Sequence, residues 1–204
     1  MNTSTANFWH EKFKQNEYVY GTKANDFLAN HVHHLPKNGH ILSLGEGEGR
    51  NVVYLAELGF QVTALDAAQS GLDKVQRLAD SKNVEVKTVL ADLANYEFDA
   101  NHWDGIISIF CHLPPALRQR VHQQIPSSLK PRGVFLLEAY RPQQLEFKTG
   151  DPGALEMLYN AVELGTELSA LHFDHLVELE RDIQEGQAHH GPSAVVQVLA
   201  RRLD

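Results

Sequence analysis

The sequence predicts an α/β fold: a Rossmann-like, mostly parallel sheet of seven strands, with a C-terminal antiparallel hairpin and helices on both faces. Three observations predict it. Short, almost wholly apolar runs recur along the chain and suit strands covered on both faces. Segments with apolar residues at helical spacing alternate with them, as parallel strands joined by right-handed crossovers require. Near the C-terminus two strand-like runs follow one another across a short polar stretch, so they must pair antiparallel.

Before the first strand, residues 8–13 read as one or two amphipathic turns, and a helix is expected over residues 24–33. The first strand, Ile41-Leu42-Ser43-Leu44, turns on Gly45, Gly47 and Gly49. A helix follows, with Val52, Val53, Leu55, Ala56 and Leu58 at helical spacing, and Gly59 ends it. Gln61-Val62-Thr63-Ala64-Leu65 is the second strand, ending in Asp66. The spacing predicts a helix over residues 70–81 and a third strand through Val84, Val86, Val89 and Leu90, which ends at Ala91-Asp92-Leu93. Residues 103–110 make a fourth strand, 115–128 a helix and 133–140 a fifth strand. Asp151-Pro152-Gly153 is turn material, and 154–164 reads as a helix. A sixth strand through Phe173, Leu176, Val177 and Leu179 reaches Glu180-Arg181. Residues 184–192 form a polar hairpin loop and 194–200 the last strand.

At 204 residues one domain is expected: a lead or lid segment (1–38), a ligand-binding core (39–140) and a substrate-side helix and hairpin (141–204). A formal charge of −8 argues against a nucleic-acid or membrane surface, and no apolar run reaches membrane length. Cys111 is the only cysteine, so an intrachain disulfide is excluded. With no secretory signal at the N-terminus, a reducing cytoplasm is expected. The twelve histidines lack metal-ligand spacing, so no metal is expected. Monomer and homodimer both stay open.

The glycine-rich turn carries the chemistry. Glycine serves where φ is positive or a ligand approaches the backbone, and the helix that follows points free N–H groups at that ligand. A dinucleotide fingerprint would place its third glycine at position 50, where this chain has Arg50. Asp66, at the second strand tip, is placed to hold a ribose diol through two oxygens, or to cap the next helix. Asp92 is placed to accept from an adenine amine and the Leu93 N–H to meet a ring nitrogen; a turn-forming Asp is the alternative. Tyr18 and Tyr20 offer flat apolar rings with polar tips, to close the pocket or to pack the lead segment. His112 is a candidate base and equally a packed side chain, and Cys111 reads as a buried structural cysteine. Tyr140 and Arg141 end the fifth strand. Arg181, His189 and His190 join from the hairpin, as site residues or as plain loop residues. The ligand-binding set is Tyr20, Gly45, Glu46, Gly47, Gly49, Asn51, Asp66, Ala67, Asp92, Leu93 and Phe110; the catalytic set is His112, Tyr140 and Arg181.

Leu44-Gly45-Glu46-Gly47-Glu48-Gly49-Arg50-Asn51, then Tyr54-Leu55-Ala56, Gly59-Phe60-Gln61-Val62 and Asp66, resembles the class I S-adenosylmethionine-dependent methyltransferases. It is most similar to the tellurite-resistance type, over about residues 40–140. The resemblance implies S-adenosylmethionine on the glycine loop, ribose on Asp66 and adenine on Asp92 and Leu93. The implied reaction is methyl transfer to a small molecule such as a thiol or a metalloid oxyanion like tellurite. A non-catalytic cofactor-binding sensor or partner protein, and a nicotinamide oxidoreductase, are the rival readings. The chain departs from the family at Ser43, where an acidic residue is usual, and at Glu180, where the tellurite type has histidine before the arginine. Glu46 or Glu48 is placed to restore the charge missing at Ser43.

Overall fold

Apolar strands alternating with amphipathic helices build one sheet. The computed structural model describes residues 3–150 and 152–204; Met1, Asn2 and Asp151, part of the expected turn, lie outside them. The strands are β1 (His40–Leu44), β2 (Gln61–Asp66), β3 (Lys87–Leu90), β4 (Trp103–Ile109), β5 (Leu129–Tyr140), β6 (His172–Glu185) and β7 (His189–Arg201). They lie in the order β3-β2-β1-β4-β5-β7-β6. The first five are parallel, while β7 runs antiparallel between β5 and β6.

The helices are α1 (Thr3–Lys12), α2 (Asp26–His31), α3 (Arg50–Glu57), α4 (Gln69–Lys82), α5 (Pro115–Ser128), α6 (Gln144–Phe147) and α7 (Ala161–Glu167). Consecutive strand residues serve opposite faces, which is why the strands read as continuous apolar runs. Leu42, Ile106 and Phe135 pack with Val121 and Ile125 of α5 and Leu164 of α7. Their neighbours Ile41, Ile107 and Leu136 pack with Leu28 of α2, Val52 and Leu55 of α3 and Val75 of α4. Among the described residues no helix is long and apolar enough to cross a membrane.

Four expectations change. The third strand begins only at Lys87, so Val84 and Val86 lie in the approach to it. The helix expected over 24–33 starts at Asp26, because the Asn25 side chain caps it at the Leu28 N–H, and it passes from α2 into a 3-10 turn at Val32–His34. The helix expected over 154–164 divides into a 3-10 turn, Leu155–Met157, and α7, which Asn160 caps. Between them the chain extends to bury the Tyr159 ring, whose hydroxyl donates to the Cys111 carbonyl at 2.8 Å and accepts from the Leu113 N–H at 2.9 Å. The polar hairpin loop is a tight turn at 186–188, with Gly186 at φ +68°. Glu185 and His189 therefore lie on strands and face inward.

Candidate functional site

The sheet changes direction between β1 and β4, whose neighbours extend to opposite sides, and ligands in open α/β sheets bind beyond the strand ends at such a point. A cavity of about 390 Å³ lies there. It is lined by the ends of β1 through β4 and roofed by Trp9, Phe13 and Tyr20 of the lead segment.

The floor is the glycine turn. Gly45 has φ +56°, and a Cβ there would stand 2.6 Å from Cys111 Sγ. Gly49 has φ +102°, and its Cβ would meet the α4 backbone at Val75 Cα, 2.9 Å away. Glycine is needed here for both conformation and space. Glu46 turns back onto α3: Oε1 accepts from the Asn51 and Val52 N–H groups at 3.1 and 3.3 Å, and the Ser43 hydroxyl bonds Oε2. Burial raises its carboxyl to about 7 against these favourable contacts. Glu48 forms a fully buried pair with Lys74 at 2.6 Å and accepts from the Tyr20 N–H at 3.2 Å. Lys74 also donates to the Glu17 carbonyl at 2.7 Å. Glu48 is thus paired with a cation, whereas the Glu46 carboxyl is held by the Ser43 hydroxyl and two backbone N–H groups.

Asp66, at the tip of β2, accepts from the Gly47 and Ala68 N–H groups, each at 2.8 Å. Burial raises its pKa while these two bonds oppose the rise. Each oxygen keeps a further lone pair for a hydroxyl. Phe110 ends β4 in a left-handed conformation, φ +53°, which turns its ring into the cavity over Tyr140 at 4.6 Å and His189 at 4.7 Å.

Residues 41–133 match the family described as a methyltransferase domain. These residues are a methyltransferase domain. The chain is 30% identical over 117 residues, 53% of its length and 26% of the relative's, to phosphoethanolamine N-methyltransferase 2 of Caenorhabditis elegans. It is 33% identical over 68 residues, 33% of its length and 23% of the relative's, to the probable S-adenosyl-L-methionine-dependent methyltransferase TehB of Haemophilus influenzae. The chain thus matches about a quarter of the length of these relatives. The solved TehB structure superposes with a TM-score of 0.69 at 19% identity, covering 97% of this chain and 66% of TehB. A structure concerned with conversion of a disulfide bond into a thioacetal group during echinomycin biosynthesis gives 0.77 at 14% identity, covering 98% of this chain and 92% of that one. By sequence and fold the methyltransferase domain is similar to the class I S-adenosylmethionine-dependent enzymes, TehB among them.

Of the residues singled out in the sequence, Tyr20, Gly45, Glu46, Gly47, Glu48, Asn51, Asp66, Ala67, Leu93, Phe110, Cys111, His112 and His189 line the cavity. Gly49, Asp92, Tyr140 and Arg181 do not. Asp92 accepts from the Ala94 N–H at 2.8 Å, and the wall beside it is Ala91 and Leu93. Tyr140 is fully buried beneath Phe110. Arg181 forks onto Glu138 at 2.9 and 2.7 Å, away from the cavity. His112 faces the cavity with both nitrogens committed: Nδ1–H donates to the Met157 carbonyl at 2.8 Å and Nε2 accepts from the Tyr140 N–H at 3.2 Å. Burial lowers its pKa to about 4. Its ring is a fixed strut, with no lone pair left to act as a base. Cys111 is buried, and that burial pushes its thiol up to about 12. Trp9 and Phe13, from the lead segment expected as a lid, also line the cavity, and Arg50 joins them without having been expected there. The apolar spacing of the lead helix was the available signal for the two aromatic ones.

Proposed function

We propose that the protein is an S-adenosylmethionine-dependent methyltransferase acting on a small-molecule acceptor: a thiol, a metalloid oxyanion such as tellurite, or another small nucleophile. The observation that carries this reading is the state of the α3 N-terminus. In dinucleotide sites those N–H groups receive a pyrophosphate. Here the Glu46 carboxylate already occupies two of them. A ligand with two phosphates meets a carboxylate there, whereas a sulfonium meets an opposite charge. The volume lies within the usual small-ligand range of about 300–1,000 Å³.

In this reading Asp66 holds the ribose, Ala67 and Leu93 border the adenosine with Asp92 at the rim, and Tyr20 and Asn51 flank the methionine end with the glycine turn. Bound there, S-adenosylmethionine supplies a methyl group that is already activated. The chain's work is then positioning, which in favourable cases contributes about 7–11 kcal/mol. Phe110 and His112 form the acceptor wall, with Tyr140 packed behind them. Arg181, spent on Glu138, positions the strand.

The test is calorimetry with S-adenosylmethionine, followed by incubation with methyl-labelled cofactor and a panel of thiols, tellurite and selenite. Micromolar binding with label transferred to one acceptor class is expected. Binding without transfer to any small acceptor favours the sensor reading instead.

A further inference from the structure

We propose that His189 is the general base of the acceptor site and Glu185 its positioning residue, so that the acceptor enters as a neutral, proton-bearing nucleophile such as a thiol. The proposal rests on the methyl-transfer reading. The tight turn at 186–188 places the last residue of β6 and the first of β7 four positions apart and facing inward. His189 is 4% exposed, lines the cavity and packs on Tyr20 at 4.5 Å and Phe110 at 4.7 Å. Its buried Nδ1 faces Glu185 Oε2 at 3.9 Å, beyond hydrogen-bond reach, and has no hydrogen-bond partner among the described residues.

Glu185 is fixed from the other side. Its Oε2 lies 2.5 Å from Arg50 Nη1, and its Oε1 accepts from Asn25 at 2.8 Å and Arg181 at 3.3 Å. Burial pushes the Glu185 carboxyl up, but His189, Arg50 and Arg181 more than reverse this and bring it down to about 2. An ionised carboxylate on the Nδ1 side acts on the ring through charge across 3.9 Å and not through a hydrogen bond; it favours a proton on Nδ1, which leaves the lone pair on Nε2. Burial lowers the His189 pKa while Glu185 opposes this, so the ring is neutral and able to accept a proton. The other titratable or charged groups around it are Arg50, Lys12, Tyr20, Tyr140 and His112.

The balance is simple. The acceptor's lone pair bonds the methyl carbon as the sulfur–methyl bond breaks, that bond's electron pair stays on sulfur, and the acceptor's proton passes to His189 Nε2 and on to water. An acceptor that arrives without a proton needs no such step.

The test compares thiols with iodide in wild type and His189→Gln. A general base contributes about 10²- to 10⁴-fold, so thiol methylation falls by that factor while iodide methylation and S-adenosylhomocysteine affinity stay within about threefold. Equal loss with both acceptors, or lost affinity, overturns the base and leaves methyl transfer standing. A wild type that binds cofactor but methylates neither overturns the methyl-transfer reading and the base with it. Independently of activity, the His189 imidazole followed by NMR without cofactor titrates at lower pH in Glu185→Gln than in wild type. An unchanged titration overturns the role of Glu185.

Discussion

Glu46 occupies the α3 N-terminus from within the chain, and that makes it the most informative single residue of the site. Two helix N–H groups and the Ser43 hydroxyl hold it, yet burial still raises its carboxyl to about 7 from an ordinary 4.5. The folded state therefore binds this proton more tightly than the unfolded chain does. The associated stability is complete below about pH 4.5 and is lost as pH rises through 7. In Glu46→Gln the titration is gone, so urea unfolding should show the variant gaining on wild type by about 3 kcal/mol between pH 4.5 and 8. A difference that does not move with pH would place the carboxyl in water. Charge also sets ligand preference. An ionised Glu46 favours a sulfonium over a neutral thioether, so Glu46→Gln should weaken S-adenosylmethionine by about tenfold and S-adenosylhomocysteine by much less, as for a lost charged contact of about 1.5 kcal/mol. Equal weakening would put the carboxylate outside the sulfonium's reach. The sequence showed the vacancy at Ser43 but left Glu46 and Glu48 equivalent. Only the packing of α4, which brings Lys74 onto Glu48 from 26 residues away, separates them.

Among the elements, the lead segment depends most on a single contact. Its Glu17 carbonyl and Tyr20 N–H converge on the Glu48–Lys74 pair, and α1 is tied to α4 where the Ser70 hydroxyl donates to the His10 carbonyl at 2.7 Å. Lys74→Met would leave Glu48 buried and unpaired, at a cost of about 3–5 kcal/mol. Adding Glu48→Leu should recover most of this, because an apolar pair removes both desolvation penalties. Chemical denaturation of the two variants checks it: equal losses would mean that Lys74 acts through packing alone. The strands and α5 were legible because alternation and apolar runs report burial directly. The β6–β7 turn was not. Glu185, His189 and His190 look like loop residues because polarity normally marks solvent, whereas the first two are buried by the partners they find across the sheet. The same limit explains the divided helix before β6, where the buried Tyr159 ring outweighs local helical spacing.

Across the whole molecule, one buried carboxylate joins parts that are far apart in sequence. Glu138 on β5 is fully buried and receives Arg181 from β6, Gln197 from β7 at 2.6 Å and Asn25 from the lead segment at 2.6 Å. Asn25 also bonds Glu185, 160 residues away. Arg181 read as a substrate group because it matches the strand-six arginine of the tellurite-type resemblance, and its partner is not visible in one dimension. In three dimensions it is the cation that makes Glu138 tolerable, and it ties hairpin and lead to the parallel core. Removing it should loosen those two parts before the core. The two tryptophans report on this, Trp9 from the lead and Trp103 from the start of β4. With each kept alone by a Trp→Phe change at the other, wild type should unfold in urea with coincident midpoints. Arg181→Met should lose about 3–5 kcal/mol and show the Trp9 transition at lower urea than Trp103. If the midpoints stay together in the variant, the lead is held by the Glu48–Lys74 pair and the α1–α4 contact, and the Glu138 network only packs the hairpin.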